Sequence, residues 1–476
     1  MANDADFLYV QIAEKLEKNI SQGVLKTGDK LISIRTLSKE QGISISTAFK
    51  AYSQLEMRGL IESRPKSGYY VRFLQRKAFP IDRSHFLKEP ENVSVDDMIA
   101  MVFQNVNTEN VIKLSRAAPA LELLPQAKLN KALAKAVRMS AASCINYEDI
   151  QGNLSLRKQL ARQAFTWGGT ISEFDIVTTQ GCIEALFFCL KAVTEPGDTI
   201  AIESPAYFGT FKLLKSLGLK VLEIPSDAQT GISINYLEQA IGKVKIKACL
   251  FVTNFTNPLG SLMPDDNKKL LVELLAGHDI PLIEDDIYGD LYFGTTRPHT
   301  CKSYDKKGLV LLCSSVSKSL APGYRVGWCM PGKFTAQVIN LKLTHSISSA
   351  TPTQTAIGLF FETGRFDLHL RNIRKALYTQ CLRYIQAISE YFPEDSKISE
   401  PKGGYVLWIE MNKKVNAFKL YQSALKYNIS IAPGQIFSTD GQFSNCIRIS
   451  FGIPFTKEID QCLKILGTLV KDIIKA

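Results

Sequence analysis

From residue 111 onward, short β-branched runs alternate with longer stretches of helical periodicity. This alternation restricts most of the chain to one architecture, a mostly parallel sheet with helices on both faces. The strand runs are 176–179, 199–202, 248–252, 281–283 and 310–313, and the helical patterns are 183–193, 207–217, 236–241 and 265–277. After Arg365 a second, smaller α/β segment ends in a glycine-containing strand pair at 403–409 and 446–451. A chain of 476 residues has room for more than this one unit.

The start of the chain has a different pattern. Leu8, Ile12, Leu16 and Ile20 form a helix-spaced apolar stripe ended by Gly23 and Gly28. Ser33 precedes a short helical stretch over 34–41, closed by Gly42, and Ser44 can cap a further helix over 45–58, ended by Gly59. Two short β-like runs follow at 60–63 and 69–72, with Arg64-Pro65-Lys66-Ser67-Gly68 turning between them. A helix, a helix-turn-helix and a hairpin in this order predict a winged helix. The segment also resembles the GntR-type DNA-binding domain over residues 7–73, with Gly23, Gly28-Asp29, Arg35, Ser44, Thr47, Tyr52, Gly59-Leu60-Ile61, Arg64 and Ser67-Gly68 in register. The resemblance implies contacts to double-stranded DNA through Arg35, Ser44, Ser46, Thr47 and Lys50, with Arg64 and Lys66 of the wing in the adjoining groove. Residues 74–110, with Pro80, Pro90 and mixed charge, read as a linker that includes a helical stretch at 96–106.

Charge agrees with a polyanion partner. The first 78 residues hold eight lysines and five arginines against eight acidic residues, a surplus of five out of a net +11 for the whole chain. The longest apolar runs fall far short of the ~20 residues of a membrane span, and the acidic, polar start is unlike a signal peptide. The ten cysteines form no CxxC pair and several lie inside apolar runs, so they read as small buried hydrophobes in a reducing, cytoplasmic setting. The five histidines show no metal-ligand spacing, and no metal is expected.

Several residues of the large unit carry chemistry. Ser315-Val316-Ser317-Lys318 follows a strand run, with Arg325 behind it. A lysine that forms a Schiff base needs a fixed place at a strand end, with hydroxyls and an arginine nearby for a phosphate; a solvated loop lysine has the same local sequence. Asp285 and Tyr288 follow the run at 281–283. A carboxylate there can keep a pyridine nitrogen protonated, or can belong to an acidic loop with Glu284, Asp286 and Asp290. Gly181 and Cys182 open a helix whose free amides suit a phosphate. Asn257-Pro258-Leu259-Gly260 is a turn by composition, with Asn257 able to bond a cofactor oxygen. Tyr207 can stack on an aromatic ring or pack at a helix start, and Tyr147 can reach a phosphate or cover a turn. Arg448, inside the apolar run 447–451, needs an anion, either a structural carboxylate or that of a substrate.

The order of these motifs, Tyr147…Gly152, Gly181, Tyr207, Asn257-Pro258…Gly260, Asp285…Tyr288, Ser315…Lys318…Arg325 and Arg448, resembles the fold-type I, class I and II aminotransferases over about residues 110–470. The resemblance implies pyridoxal 5′-phosphate (PLP) bound covalently to Lys318. Asp285 would pair with its ring nitrogen, Tyr288 and Asn257 would bond its phenolic oxygen, and Tyr207 would stack on the ring. Gly181, Cys182, Ser315, Ser317 and Arg325 would hold its phosphate, together with Tyr147 from a second subunit of a homodimer. Arg448 would hold the α-carboxylate of an amino acid.

A GntR-type domain (1–73), a linker (74–110) and this body (111–476) together resemble the MocR group of PLP-dependent transcriptional regulators. Two functions follow from the resemblance. One is a DNA-binding regulator that senses PLP or an amino acid. The other is a catalytically active aminotransferase, moving an amino group from amino acid to 2-oxo acid, with a DNA-binding appendage. The first is favoured, because a plain enzyme has no use for an intact winged helix.

Overall fold

The structure, a computed structural model, describes residues 7–21, 24–25, 28–64, 67–72, 98–100, 102, 110–139 and 142–475. The N-terminal unit is the expected winged helix: α1 (Leu8–Ser21), α2 (Ile34–Glu40), α3 (Ile45–Met57), then strands β1 (Ile61–Arg64) and β2 (Gly68–Val71) in an antiparallel hairpin. Local chemistry sets the helix starts. The Ser33 hydroxyl accepts from Thr36 N at 3.1 Å, and the Ser44 hydroxyl accepts from Thr47 N at 3.0 Å, each satisfying an amide that the first turn leaves open. The stripe from α1 meets Leu37, Ala48, Tyr52 and Leu55 in a core of its own. Of the expected linker, residues 98–100 and 102 are helical, and most of the rest lies outside the described residues.

The body is built on an eight-stranded sheet: β3 (Val177–Thr179), β4 (Thr199–Ser204), β5 (Lys220–Asp227), β6 (Gly231–Ile232), β7 (Ile246–Phe251), β8 (Leu282–Asp285), β9 (Val310–Ser315) and β10 (Gly327–Met330). Their spatial order is β3-β10-β9-β8-β7-β4-β5-β6. Strands β9, β8, β7, β4 and β5 run parallel, whereas β10 is antiparallel to both β9 and β3. Every residue of β4 and β9 is buried, as expected for strands with helices on both faces. The sequence runs locate five of these strands to within about two residues, but β5, β6 and β10 carry no expectation. All ten cysteines are free thiols, nine of them buried and Cys144 half-buried.

A smaller antiparallel sheet is formed by Lys397–Ile398, Val406–Glu410, Cys446–Ser450 and Ala432–Pro433. It is tied to the start of the body by the parallel pairing of Ile112–Lys113 with Ile429–Ser430. Leu114 O then accepts from Ser450 N, and Ser115 N donates to Ser430 O, both at 2.8 Å. The chain from 112 to 117 is thereby laid beside the strand that carries Arg448.

The winged helix packs on the long Arg365–Tyr391 helix of the body. Leu382 lies so close to Gly59 that a Cβ there would sit 2.1 Å from its Cδ1, and Lys375 Nζ is 3.6 Å from Glu56 Oε2 on α3.

Candidate functional site

Because the central strands run parallel, their carboxyl ends share one edge, which is where ligands bind in open α/β sheets. Gly181 follows β3, Tyr207 follows β4, Asn257 follows β7, Asp285 ends β8, and Lys318 follows β9. Residues up to 137 positions apart in sequence are thus gathered at one rim.

Lys318 is half-buried, and its Nζ donates to Ala117 O at 2.7 Å and lies 6.0 Å from the centre of the Tyr288 ring. Burial, with the Arg448 guanidinium nearby, pushes its pKa down from 10.5 to about 8, against the opposing pull of Asp285. Asp285 accepts from Ile287 N at 3.1 Å and from the Cys182 thiol at 3.4 Å, both through Oδ1. Burial raises its pKa to about 6, so it is mainly a carboxylate at neutral pH. Tyr288 is buried, and burial raises its phenol well above the ordinary range. Asn257 Nδ2 donates to the Tyr288 hydroxyl at 3.5 Å, and Asn257 Oδ1 accepts from Arg448 Nη1 at 3.1 Å. Tyr207 is held against Phe208, with ring centres 4.5 Å apart, and its phenol is raised by burial while feeling Arg448 and Asp285.

A second cluster sits at the start of the Cys182–Val193 helix. Gly181 occupies the N-cap with φ 91° and supplies no side-chain cap, which leaves the first amides of the helix free. Arg325 fills the space beside it: a Cβ on Gly181 would lie 2.2 Å from Arg325 Nη2. Arg325 Nη1 donates to the Ser317 hydroxyl at 3.3 Å, Nη2 to Gln180 O at 2.8 Å, and the Ser315 hydroxyl accepts from Ser317 N at 3.2 Å. Free amides, two hydroxyls and a guanidinium converge there, as a phosphate requires.

Arg448 lies in the Cys446–Ser450 strand of the smaller sheet. It is 1% exposed, and no carboxylate meets it among the described residues. Nη1 bonds Asn257, Nη2 bonds Ser115 O, and Nε has no partner. Burial drives its pKa down to about 10. A buried guanidinium with an orphaned donor is the condition an incoming carboxylate would relieve.

The sequence reading misses two contributors. Tyr405 packs edge-on against Tyr288 with ring centres 5.6 Å apart, and its hydroxyl donates to Ala117 O at 3.3 Å. The backbone of Ser115 and Ala117 accepts from Arg448 and Lys318 respectively. The two glycines before Tyr405 are the only sequence signal for it. Gly403 is pressed so tightly on Phe255 that a Cβ would lie 2.5 Å from its ring. Nothing in the 112–117 sequence marks its approach to the site. Tyr147, by contrast, is 77% exposed, and its side chain meets none of this cluster among the described residues.

On the winged helix, Arg35, Ser44, Ser46 and Lys50 are exposed and Thr47 is half-buried, all around the start of α3. The Ser44 hydroxyl is engaged with Ser46 Oγ, Thr47 Oγ1 and Thr47 N. Lys66 lies outside the described residues, as does the side chain of Arg64.

Residues 109–466 match the family Aminotransferase class I and II, and residues 8–71 match Bacterial regulatory proteins, gntR family. The uncharacterised HTH-type transcriptional regulator YjiR of Escherichia coli is 37% identical over 464 residues, covering 97% of this chain and 98% of that protein. YdcR of the same organism, also an uncharacterised HTH-type regulator, is 36% identical over 469 residues, with 98% and 99% covered. Among solved structures, the multiple substrate aminotransferase of Thermococcus profundus superposes with a TM-score of 0.74 at 24% identity, over 79% of this chain and 95% of that one. That likeness speaks to the fold of the body.

Proposed function

This chain belongs to the HTH-type transcriptional regulators that join a gntR-family domain to a class I and II aminotransferase domain, and from that premise we propose that it binds DNA under the control of PLP and an α-amino acid held in its body. The observation that carries the reading is Arg448, a buried cation with an orphaned donor beside a lysine of lowered pKa. The chain divides into a DNA-binding domain to residue 73, a linker to 110, and a sensing body from 111. It works in the cytoplasm, alongside the DNA it reads.

The residues present fit PLP. Gly181, Cys182, Ser315, Ser317 and Arg325 would hold the phosphate, Lys318 the carbonyl carbon, Asp285 the ring nitrogen, Tyr288 and Asn257 the phenolic oxygen, and Tyr207 a ring face. When bound, PLP supplies an electrophilic carbonyl and a protonated ring able to delocalise electrons from an amino acid Cα. Asp285, mainly a carboxylate at neutral pH, would favour a proton on that ring nitrogen. Arg448 anchors the α-carboxylate and so places the amino group next to Lys318. Lys318, with its pKa near neutrality, is suited to give and take a proton. Ala117 O accepts from that amine and also from the Tyr405 hydroxyl. These residues also suffice for slow amino-group transfer, the second reading, which is favoured because Asn257 bonds both Tyr288 and Arg448 and so would tie the cofactor oxygen to the carboxylate anchor.

The DNA-binding face is the start of α3 and the wing. Duplex affinity should fall steeply as salt rises, since each phosphate contact releases counterions. Arg35→Ala should flatten the slope of log K against log salt by about one. Saturating amino acid should change the affinity of the PLP-loaded protein. Binding that is indifferent to salt and to Arg35→Ala sinks the DNA assignment; a salt-dependent affinity that ignores PLP and every amino acid sinks the sensing role.

The functional unit is a homodimer in which Tyr147 completes the phosphate site of the other subunit. Its 77% exposure, next to Ile145 at 91%, supports a partner surface there. Light scattering should give twice the chain mass of 53.0 kDa at micromolar concentration. A PLP-saturated monomer would remove the basis for the shared site.

A further inference from the structure

A cavity of about 680 Å³ opens at the seam between the winged helix and the body. Ser53 and Glu56 of α3 form one wall and the long Arg365–Tyr391 helix forms the other. Its size is that of a small-molecule site, and such sites favour domain interfaces. None of the PLP-site residues lines it.

We propose that this cavity is a second ligand site, taking a compact aromatic monoanion that bridges the DNA-binding domain and the body. Arg371, Arg374 and Lys375 project into it from one helix face, at i, i+3 and i+4. Arg297 is held by Asp290 and Asp286, and Lys375 Nζ lies 3.6 Å from Glu56 Oε2, so the cations that face the cavity outside these pairs are Arg371 and Arg374, with Asp367 as the one further lining carboxylate. Two of the carboxylates are engaged. Asp290 accepts from Arg297 Nε at 2.7 Å, and Glu56 Oε1 accepts from Ser63 N and Oγ at 3.2 and 2.8 Å. Arg374 is held flat over the Tyr292 ring at 3.7 Å by bonds to Asp290 O and the Tyr292 hydroxyl, which leaves Nη2 without a partner among the described residues. Phe293 and Tyr378, with ring centres 5.1 Å apart, supply an aromatic wall beside it. A guanidinium fixed beside a tilted pair of rings suits an aromatic ring bearing one anionic group.

The position gives such a ligand leverage in two directions. Arg297 joins Asp290 to Asp286 Oδ2 at 2.5 Å, and Asp286 is the residue after Asp285. The opposite wall is the helix that enters DNA. An occupant therefore touches Arg297, which is bonded to the residue after Asp285, and Ser53 and Glu56 of α3, and its binding should alter DNA affinity through the seam.

The test uses 8-anilinonaphthalene-1-sulfonate, an aromatic monoanion that fluoresces in apolar surroundings, with the full-length protein kept in excess PLP. We expect one saturable site per chain and a shift in duplex affinity when it fills. Thr379→Trp, at an exposed lining position, should block it. Arg371→Glu combined with Lys375→Glu should weaken it on the order of tenfold through charge reversal. Binding that survives both variants overturns the site. Binding blocked by tryptophan but unmoved by charge reversal overturns the anion assignment and the proposal with it. If the tryptophan variant fails to fold, the charge variant, made at two exposed side chains, decides alone.

Discussion

Lys318→Ala protein is expected to lose every pyridoxyl group that borohydride can fix, whereas the natural chain should retain one on Lys318. The test is discriminating because a second lysine competes. Lys342 is fully buried, its Nζ has no hydrogen-bond partner among the described residues, and burial also lowers its pKa to about 8. Nucleophilicity by itself would not separate the two. Position does: Lys318 shares its rim with Asp285, Tyr288 and Arg448, while Lys342 lies in the Thr335–His345 helix near Glu184, Asp149 and Arg157. The pH dependence adds a second check. Only a neutral amine attacks a carbonyl, so capture of PLP by cofactor-free protein should rise with pH and level off above about 8 rather than near 10.5. Peptide mapping that finds the pyridoxyl group on Lys342, or persistent labelling in the alanine variant, refutes the assignment.

Arg448→Leu should keep the visible absorption of bound PLP and lose its response to every α-amino acid. The guanidinium does not touch the phosphate cluster at Gly181 and Arg325, so cofactor loading should survive. A paired, charge-assisted hydrogen bond to a carboxylate is worth roughly 3 kcal/mol, so amino-acid affinity should fall by about a hundredfold or more. The fold should tolerate the change, because the arginine is buried with no carboxylate partner among the described residues and its desolvation opposes folding. A variant that still shifts its spectrum at natural amino-acid concentrations would make Arg448 a structural residue and leave PLP itself as the effector. Asn257→Ala provides the contrast: it frees Arg448 Nη1 as well as the Tyr288 hydroxyl, so it should disturb both the absorption band and the amino-acid response.

Much of this was legible in the sequence, for local reasons. Ser33 and Ser44 announce the two helices of the reading head because an N-cap hydroxyl satisfies amides within three residues of itself. Strands β4, β7, β8 and β9 are recognisable because parallel strands covered on both faces must be apolar throughout. Each residue at the rim then follows from where its strand ends, which is a short-range property. Strand β10 escaped because Gly327-Trp328-Cys329-Met330 is brief and starts with a glycine; it is a strand only because β9 and β3 flank it. What the sequence by itself determined is therefore the winged helix, the parallel sheet and the rank of residues along its carboxyl edge, since periodicity and caps act within a few residues. What only the tertiary structure decided is every contact made across the chain. It brought Ser115 and Ala117 to Arg448 and Lys318, set Tyr405 against Tyr288, buried Arg448 with an unbonded Nε, and opened a charged cavity between Glu56 and Arg374. Those outcomes depend on which distant segments share a buried space, and no local pattern carries that information.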